Sequence, residues 1–153
     1  EAALTLKSSL EERKIPIEEF FTGVKKSVLR NDELLTGITV AARGKDHHGF
    51  FLKLGQRRAL AIAKVSVAAS IELDGETVQK ARIALGAVAP TVIRAPKTEA
   101  FLEGKQLDSD LIREASRICS QESKAITDIR STSGYRDEMA GILLGRGLEK
   151  IRK

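Results

Sequence analysis

One cysteine, one methionine, one tyrosine, two histidines and no tryptophan occur in these 153 residues. The lone thiol, Cys119, excludes an internal disulfide and points to a reducing compartment, the cytoplasm. With five Phe and one Tyr, the core must be aliphatic. The shortage of rings also argues against single-stranded nucleic-acid binding, which needs aromatic platforms for base stacking. No charge-free run approaches the roughly 20 apolar residues that span a bilayer. The N-terminus lacks the charged, then apolar, then small pattern of a signal peptide. No Gly-x-Ser-x-Gly, phosphate loop or His-Glu-x-x-His is present. His47-His48 is the only histidine cluster, and no Cys or third His lies near it, so no metal site is expected.

The chain is 42% hydrophobic and 31% charged, which suits a packed domain and excludes disorder. Its net charge of +5 favours anionic partners, but Lys and Arg are interleaved with Asp and Glu. The densest basic block is Arg146, Lys150, Arg152 and Lys153, where cations suit the last turn of a helix. Without a basic stripe or a binding motif, nucleic acid is not an expected partner. The acidic pairs Glu11-Glu12, Glu18-Glu19 and Asp32-Glu33 fall on loops and helix starts, where carboxylates favour the dipole and solubility. No catalytic constellation emerges.

Two parts are legible. In the first, Ala3–Leu6 and Lys14–Ile17 read as strands around the loop Ser8–Arg13, with Pro16 marking an edge. Glu18–Gly23 reads as one helical turn stopped by Gly23, Asn31–Leu35 as a second short turn, and Gly37–Ala42 as a strand. Ala2–Lys7 already reads as a strand at the first residues, so the chain is expected to be the second half of something longer. Arg43–Gly49 is the expected boundary.

In the second part, Phe50–Gly55 is an expected strand, and Ala63–Leu73 with Thr77–Val88 a hairpin around Asp74-Gly75. Val65, Val67, Ala69 and Ile71 share one face, as do Ala81, Ile83 and Leu85. All are odd-numbered. Only an odd-length turn, for example three residues with a Gly bulge, puts both rows on the same side. Helices are expected over Ala95–Leu102, from the cap Asp108 through Cys119, and over Tyr135–Lys150 with Met139, Ile142, Leu143 and Leu148 inward. Cys119 on that apolar stripe reads as a buried structural thiol. Gly141, Gly145 and Gly147 read as close helix packing. Strands first and helices after define an α+β fold, an antiparallel sheet with helices on one face.

Phe50-Phe51-Leu52-Lys53-Leu54-Gly55-Gln56-Arg57-Arg58 is the most informative stretch. Burying an ammonium among Phe and Leu costs several kcal/mol unless an anionic or electron-rich ligand, or a carboxylate, pairs with it. Alternatively, Lys53 lies on the solvent face of a half-buried strand. Lys53, Arg57 and Arg58, with a backbone-rich turn around Leu35, Thr36 and Gly37, could form one wall of a cofactor site.

Five motifs occur in order. They are Phe20-Phe21-Thr22-Gly23, Asp32-Glu33-Leu34-Leu35-Thr36, Phe51-x-Lys53-x-x-x-Arg57, Ile83 to Pro90 with Arg94-Ala95, and Asp128-x-Arg130-x-Thr132-x-x-Tyr135-Arg136. The series resembles the C-terminal half of the FAD-binding medium subunit of the molybdenum hydroxylase family, which includes xanthine dehydrogenase and aerobic carbon monoxide dehydrogenase. The resemblance covers nearly the whole chain.

It implies a tail of an FAD-binding domain over 1–43. Over 48–153 it implies the family's C-terminal α+β domain, a small antiparallel sheet packed on one face by about three helices. FAD would lie between the two, its diphosphate held by Gly-rich loops in an earlier part of the subunit. The family's flavin-side lysine falls on Lys53, and the backbone that approaches the flavin falls on Leu35 and Thr36. The Asp128–Arg136 motif would be architectural. Implied partners are a 2Fe-2S iron–sulfur subunit and a molybdopterin subunit of one oxidoreductase complex, with NAD or another electron acceptor. The alternative is a non-catalytic assembly module that does not bind FAD by itself. The chain departs from many members at Ala61, where they carry Asp shortly after the paired arginines.

Overall fold

The computed structural model describes residues 1–57 and 59–152. Arg58 and Lys153, named above in two basic clusters, lie outside the described residues. The chain forms two compact units, Glu1–Gly44 and Lys45–Lys153.

In the first unit, β1 (Ala2–Lys7) and β2 (Glu12–Pro16) form an antiparallel hairpin. Ser8 closes its loop, accepting from Glu11 N at 3.1 Å through Oγ. The sheet order is β2-β1-β5, with β5 spanning Leu34–Val40, so Pro16 ends an edge strand, where a missing N–H costs nothing. Two expectations need correction. The helical turn α1 spans only Ile17–Phe20, and Phe21–Gly23 is instead strand β3, paired with β4 (Lys26–Ser27). Asn31–Leu35 is not helical: a turn leads straight into β5 (Leu34–Val40). Tertiary contacts overrule local propensity in both places. Phe20 is buried with Leu4 and Leu6, and its carbonyl accepts from Val28 N at 3.0 Å.

The second unit is a four-stranded antiparallel sheet in the order β6-β7-β8-β9, comprising His47–Gly55, Ala63–Asp74, Thr77–Gly86 and Ile93–Arg94. Val67 pairs with Leu85, Ala69 with Ile83 and Ile71 with Ala81, so the odd rows do share one face. The device differs from the expected one. Asp74 pairs with Thr77 across a two-residue turn, and the register shifts at Glu72/Leu73, where Lys80 and Val78 are the successive partners. The extra residue is therefore Gln79, a bulge inside β8 rather than in the turn. It lets Val78 and Ala81 both be fully buried although three apart. Phe50, Leu52 and Leu54 of β6 join this face opposite Ala69, Val67 and Val65.

Three helices cover the face: α2 (Pro96–Leu102), α3 (Ser109–Glu122) and α4 (Ser133–Arg152). Asp108 caps α3 by accepting from Leu111 N at 2.7 Å. No side chain caps α2 from its own N-cap, Ala95. Glu122 at the end of α3 does so instead, accepting from Lys97 N and Thr98 N at 2.8 Å each. The outer edge of β8 is sealed by two carboxylates four residues apart, one on α2 and one just past its end. Glu99 accepts from Ile83 N at 2.7 Å, and Glu103 from Ala81 N at 3.1 Å. Along α4 the buried residues are Arg136, Ala140, Gly141, Leu143, Leu144, Gly147 and Leu148. Ile142 is a correction: it is 36% exposed, because the stripe through Ala140, Leu143, Leu144, Gly147 and Leu148 at helical spacing leaves it on the other side. No helix among the described residues is long and apolar enough to cross a membrane.

Candidate functional site

Lys53 is exposed on the solvent face of β6, so of its two readings the structure takes the second. It stands opposite Ser66, which in turn stands opposite Gly86. The next rows on that face are Phe51, Ala68, Ala84 and Arg94, then Gly49, Ser70 and Arg82. Small residues thus pave the middle of the sheet's outer side. A Cβ on Gly86 would strike Ser66 Oγ, which keeps this position flat. The result is a shallow floor with one ring, Phe51, and cations at its margins. A planar or closely fitting partner suits such a floor better than a bulky side chain does.

The Lys53 ammonium donates to Ala61 O at 3.2 Å, and Arg57 Nη2 donates to Leu60 O at 2.8 Å. Both cations therefore brace the loop between β6 and β7 from below. Ala61 supplies a carbonyl and no carboxylate, so this position does not neutralise the Lys53 charge. The methyl of Ala61 would lie 2.7 Å from a Cβ on Gly55, so a glycine is required there for the loop to fold back. Beside the loop is a cleft of about 450 Å³ lined by Gln56, Arg57, Leu60, Lys64, Ile129 and Arg130, among others.

Leu35 and Thr36 belong to the first unit, and Lys53 to the second. Thr5 pairs with Gly37 and Leu6 with Leu35, so Thr36 is the extra residue of a β-bulge. Its Oγ1 donates to Thr5 O at 3.3 Å. A bulged residue drops out of the ladder, leaving backbone groups for other partners. The bulge also keeps Leu35 and Ile38 on one face although they are three apart.

Glu33 anchors the start of this strand. Arg13 grips it in bidentate fashion, Nε to Oε1 at 2.6 Å and Nη2 to Oε2 at 2.9 Å, and Arg30 N donates to Oε2 at 2.8 Å. The Arg13 hydrogen bond, above all, holds the Glu33 carboxyl down to about 2. Glu33 is 4% exposed, so reading Asp32-Glu33 as a solubilising pair is corrected. What the sequence concealed was the partner: Arg13 lies 20 residues away.

Elsewhere, Asp128 Oδ1 gathers Arg130 N at 2.8 Å, Ser131 N at 3.2 Å and Arg136 Nη2 at 2.5 Å. Arg136 is 5% exposed and also donates to Ala87 O at 3.2 Å, fixing a residue whose φ is +62°. The loop is thereby tied to both α4 and the end of β8. Cys119 is fully buried, and burial pushes its thiol up to about 12. His47 Nε2 hydrogen-bonds Ser70 Oγ, and no group of three or more potential metal ligands exists among the described residues.

An antiparallel sheet covered on one side by three helices, with a flat, cation-edged outer side, defines a small α+β module. Residues 50–151 match the model of the CO dehydrogenase flavoprotein C-terminal domain, and the chain belongs to that family. The carbon monoxide dehydrogenase medium chain of Hydrogenophaga pseudoflava is 28% identical over 148 residues, covering 97% of this chain and 51% of the relative. The xanthine dehydrogenase FAD-binding subunit of Escherichia coli O157:H7 is 28% identical over 137 residues, covering 89% of this chain and 47% of the relative. A solved structure of carbon monoxide dehydrogenase from Hydrogenophaga pseudoflava superposes with a TM-score of 0.91 at 30% identity, over 97% of this chain and 52% of that one. The chain spans about half the length of these relatives.

Proposed function

We propose that this chain is part of an FAD-binding electron-transfer subunit of a molybdenum-containing hydroxylase, in which it forms one wall of the FAD site. The first unit is then the tail of the FAD-binding domain, and electrons from iron–sulfur centres leave through FAD to NAD or another acceptor. The observation that carries this reading is the outer side of the second unit's sheet: flat, lined by Ser66, Ala68 and Gly86, and carrying the exposed Lys53. These residues fit an electron-rich planar group, as does the bulged backbone at Thr36. A bound flavin would supply one-electron acceptance and hydride donation.

The chain's own residues position and tune it. The Lys53 ammonium adds positive charge without a carboxylate from Ala61 to cancel it. Leu35, 42% exposed, offers apolar contact, and Thr36 offers unladdered backbone groups. The partners are the iron–sulfur and molybdopterin subunits of the same complex, in the cytoplasm. Lys53→Ala in the complete subunit is expected to lower the flavin reduction potential or loosen FAD. An unchanged potential together with unchanged affinity refutes the assignment.

A second reading is favoured by the apolar row Leu35, Ile38 and Val40, exposed at 42, 62 and 61%. On that reading the chain serves chiefly as an assembly module and holds no FAD by itself. The visible absorption of the purified chain separates the two: a flavin band supports a direct share in FAD binding, and a colourless protein supports assembly.

A further inference from the structure

We propose that the free edge of β6, together with α4, is a docking groove for an extended acidic polypeptide segment, which would add to the sheet as a further antiparallel or parallel strand. In the sheet order β6 is terminal, so alternate N–H and C=O groups of this strand point away from β7. Beside that edge runs a groove of about 570 Å³ lined by Leu52, Lys53 and Leu54 from β6 and by Leu143, Arg146, Glu149 and Lys150 from α4. Three consecutive strand residues can line one groove only if it follows the strand's edge, since neighbouring side chains point to opposite faces. Leu143, Arg146 and Lys150 fall on one stripe of α4 at helical spacing. The helix is drawn close by Gly147, where any Cβ would collide with the Phe50 ring.

The chemistry of the walls selects the occupant. Leucines form an apolar floor, and Arg146 and Lys150 are exposed with no carboxylate partner among the described residues. The one acidic wall residue, Glu149, is already engaged by Arg152 at 2.9 Å. The groove is therefore net cationic and can take backbone hydrogen bonds along its length, which is how sheet edges capture peptides. A single-stranded nucleic acid would use the cations but neither the edge nor the leucines, and no aromatic ring lines the groove for stacking. The groove shares Lys53 with the proposed FAD wall, but its edge hydrogen bonds and its cations Arg146 and Lys150 play no part in that reading.

The test is fluorescence anisotropy of the 153-residue chain with a dye-labelled peptide of alternating Glu and Val, with amide hydrogen exchange read on β6. The peptide is expected to bind and to slow exchange at the edge of Leu52–Leu54. Arg146→Glu with Lys150→Glu should weaken binding about ten-fold or more, and Arg146→Gln with Lys150→Gln by less; Lys53 is left unchanged. Methylating alternate backbone nitrogens of the peptide should abolish binding to the unmodified protein. Absence of binding overturns the proposal. So does equal binding of the methylated peptide or of a single-stranded DNA oligonucleotide, since charge alone would then suffice. Dimerisation of the chain with the same protected amides would place a second copy in the groove and equally overturn it.

Discussion

Gly141, Gly145 and Gly147 lie within two turns of α4, yet replacing each with Ala should have three different effects. In a helix interior each substitution gains the same propensity, about 1 kcal/mol. What the new methyl meets differs. At Gly141 it would run into Ser116 O, with Ser116 C at 3.1 Å behind it. A backbone carbonyl cannot turn aside, so α3 and α4 must separate along their contact. That overpacking sits at the upper end of the usual range, about 3 kcal/mol, leaving a net loss of about 2 kcal/mol. At Gly145 the nearest atom is Ser116 Oγ at 2.7 Å, a hydroxyl that can rotate at the cost of its 2.7 Å bond to Ile112 O. That bond is worth about 1 kcal/mol, so the net effect is near zero. At Gly147 the obstacle is the tip of the half-buried Phe50 ring, which can swing outward while exposing apolar area; a net loss of about 1 kcal/mol follows. Urea denaturation followed by far-UV circular dichroism measures all three. Equal stabilities, or Gly141→Ala as the most stable, would show that α3 and α4 are not held at this distance by the glycine.

Glu33 supplies a pH dependence with a definite sign. Its carboxyl is lowered in the folded state from 4.5 to about 2, so its contribution is complete above pH 4.5 and fades as pH falls toward 2. A carbon-13 titration of the Glu33 side chain should show the low midpoint, and Glu33→Gln should flatten acid unfolding of the first unit in that window; a midpoint near 4.5 contradicts the bidentate grip. Cys119 should ignore a disulfide reagent in the native protein and react stoichiometrically in denaturant, because its thiol is fully buried and raised to about 12. Rapid native labelling would contradict its place in the core. Glu99→Ala should cost about 3 kcal/mol in denaturant unfolding, since it leaves the buried Ile83 N without its acceptor and removes the carboxylate that takes two hydrogen bonds from Arg94. Glu122→Ala should cost about 1–2 kcal/mol, the usual worth of an N-terminal cap; a Glu122 effect exceeding that of Glu99 would reverse this order.

Periodicity made the second unit legible. Alternation in β7 and β8, the Asp108 cap and the spacing of Leu111, Ile112, Ala115 and Cys119 each follow from one local rule, and the structure keeps them all. The bulge at Gln79 was not legible, because parity demands one extra residue somewhere and does not say where. The carboxylate latches Glu33, Glu99 and Glu122 escaped for a different reason. Their partners lie up to 25 residues off, and nothing local separates an acid bound for a buried backbone N–H from one bound for water. Lys53 shows the limit at the site itself. Its strand and its face can be read from alternation, but the flat floor beside it depends on the register that brings Ser66, Ala68 and Gly86 alongside.

The two units differ in how far their apolar residues are covered, and that difference bears on what each does. Among the described residues, the second encloses a cluster of twenty buried apolar residues under three helices. The first encloses three buried apolar residues, Leu4, Leu6 and Phe20. Yet the face of β1 that carries Leu4 and Leu6 continues across β5 into Leu35, Ile38 and Val40, whose pairing partners are Leu6, Leu4 and Ala2. The apolar surface thus outruns its cover at the strand that is also the free edge of its sheet. The Thr36 bulge is what aligns Leu35 with Ile38 on that face; without it the row would split between two sides. A bulge that keeps an exposed apolar row in line has no value to a surface meant for water. It suits the assembly reading proposed above, in which something apolar lies on this surface beside the unladdered Thr36 backbone. In each unit a buried charged side chain fixes the neighbouring loop: Glu33 holds the turn that leads into β5, and Arg136, in the first turn of α4, holds the loop at Asp128.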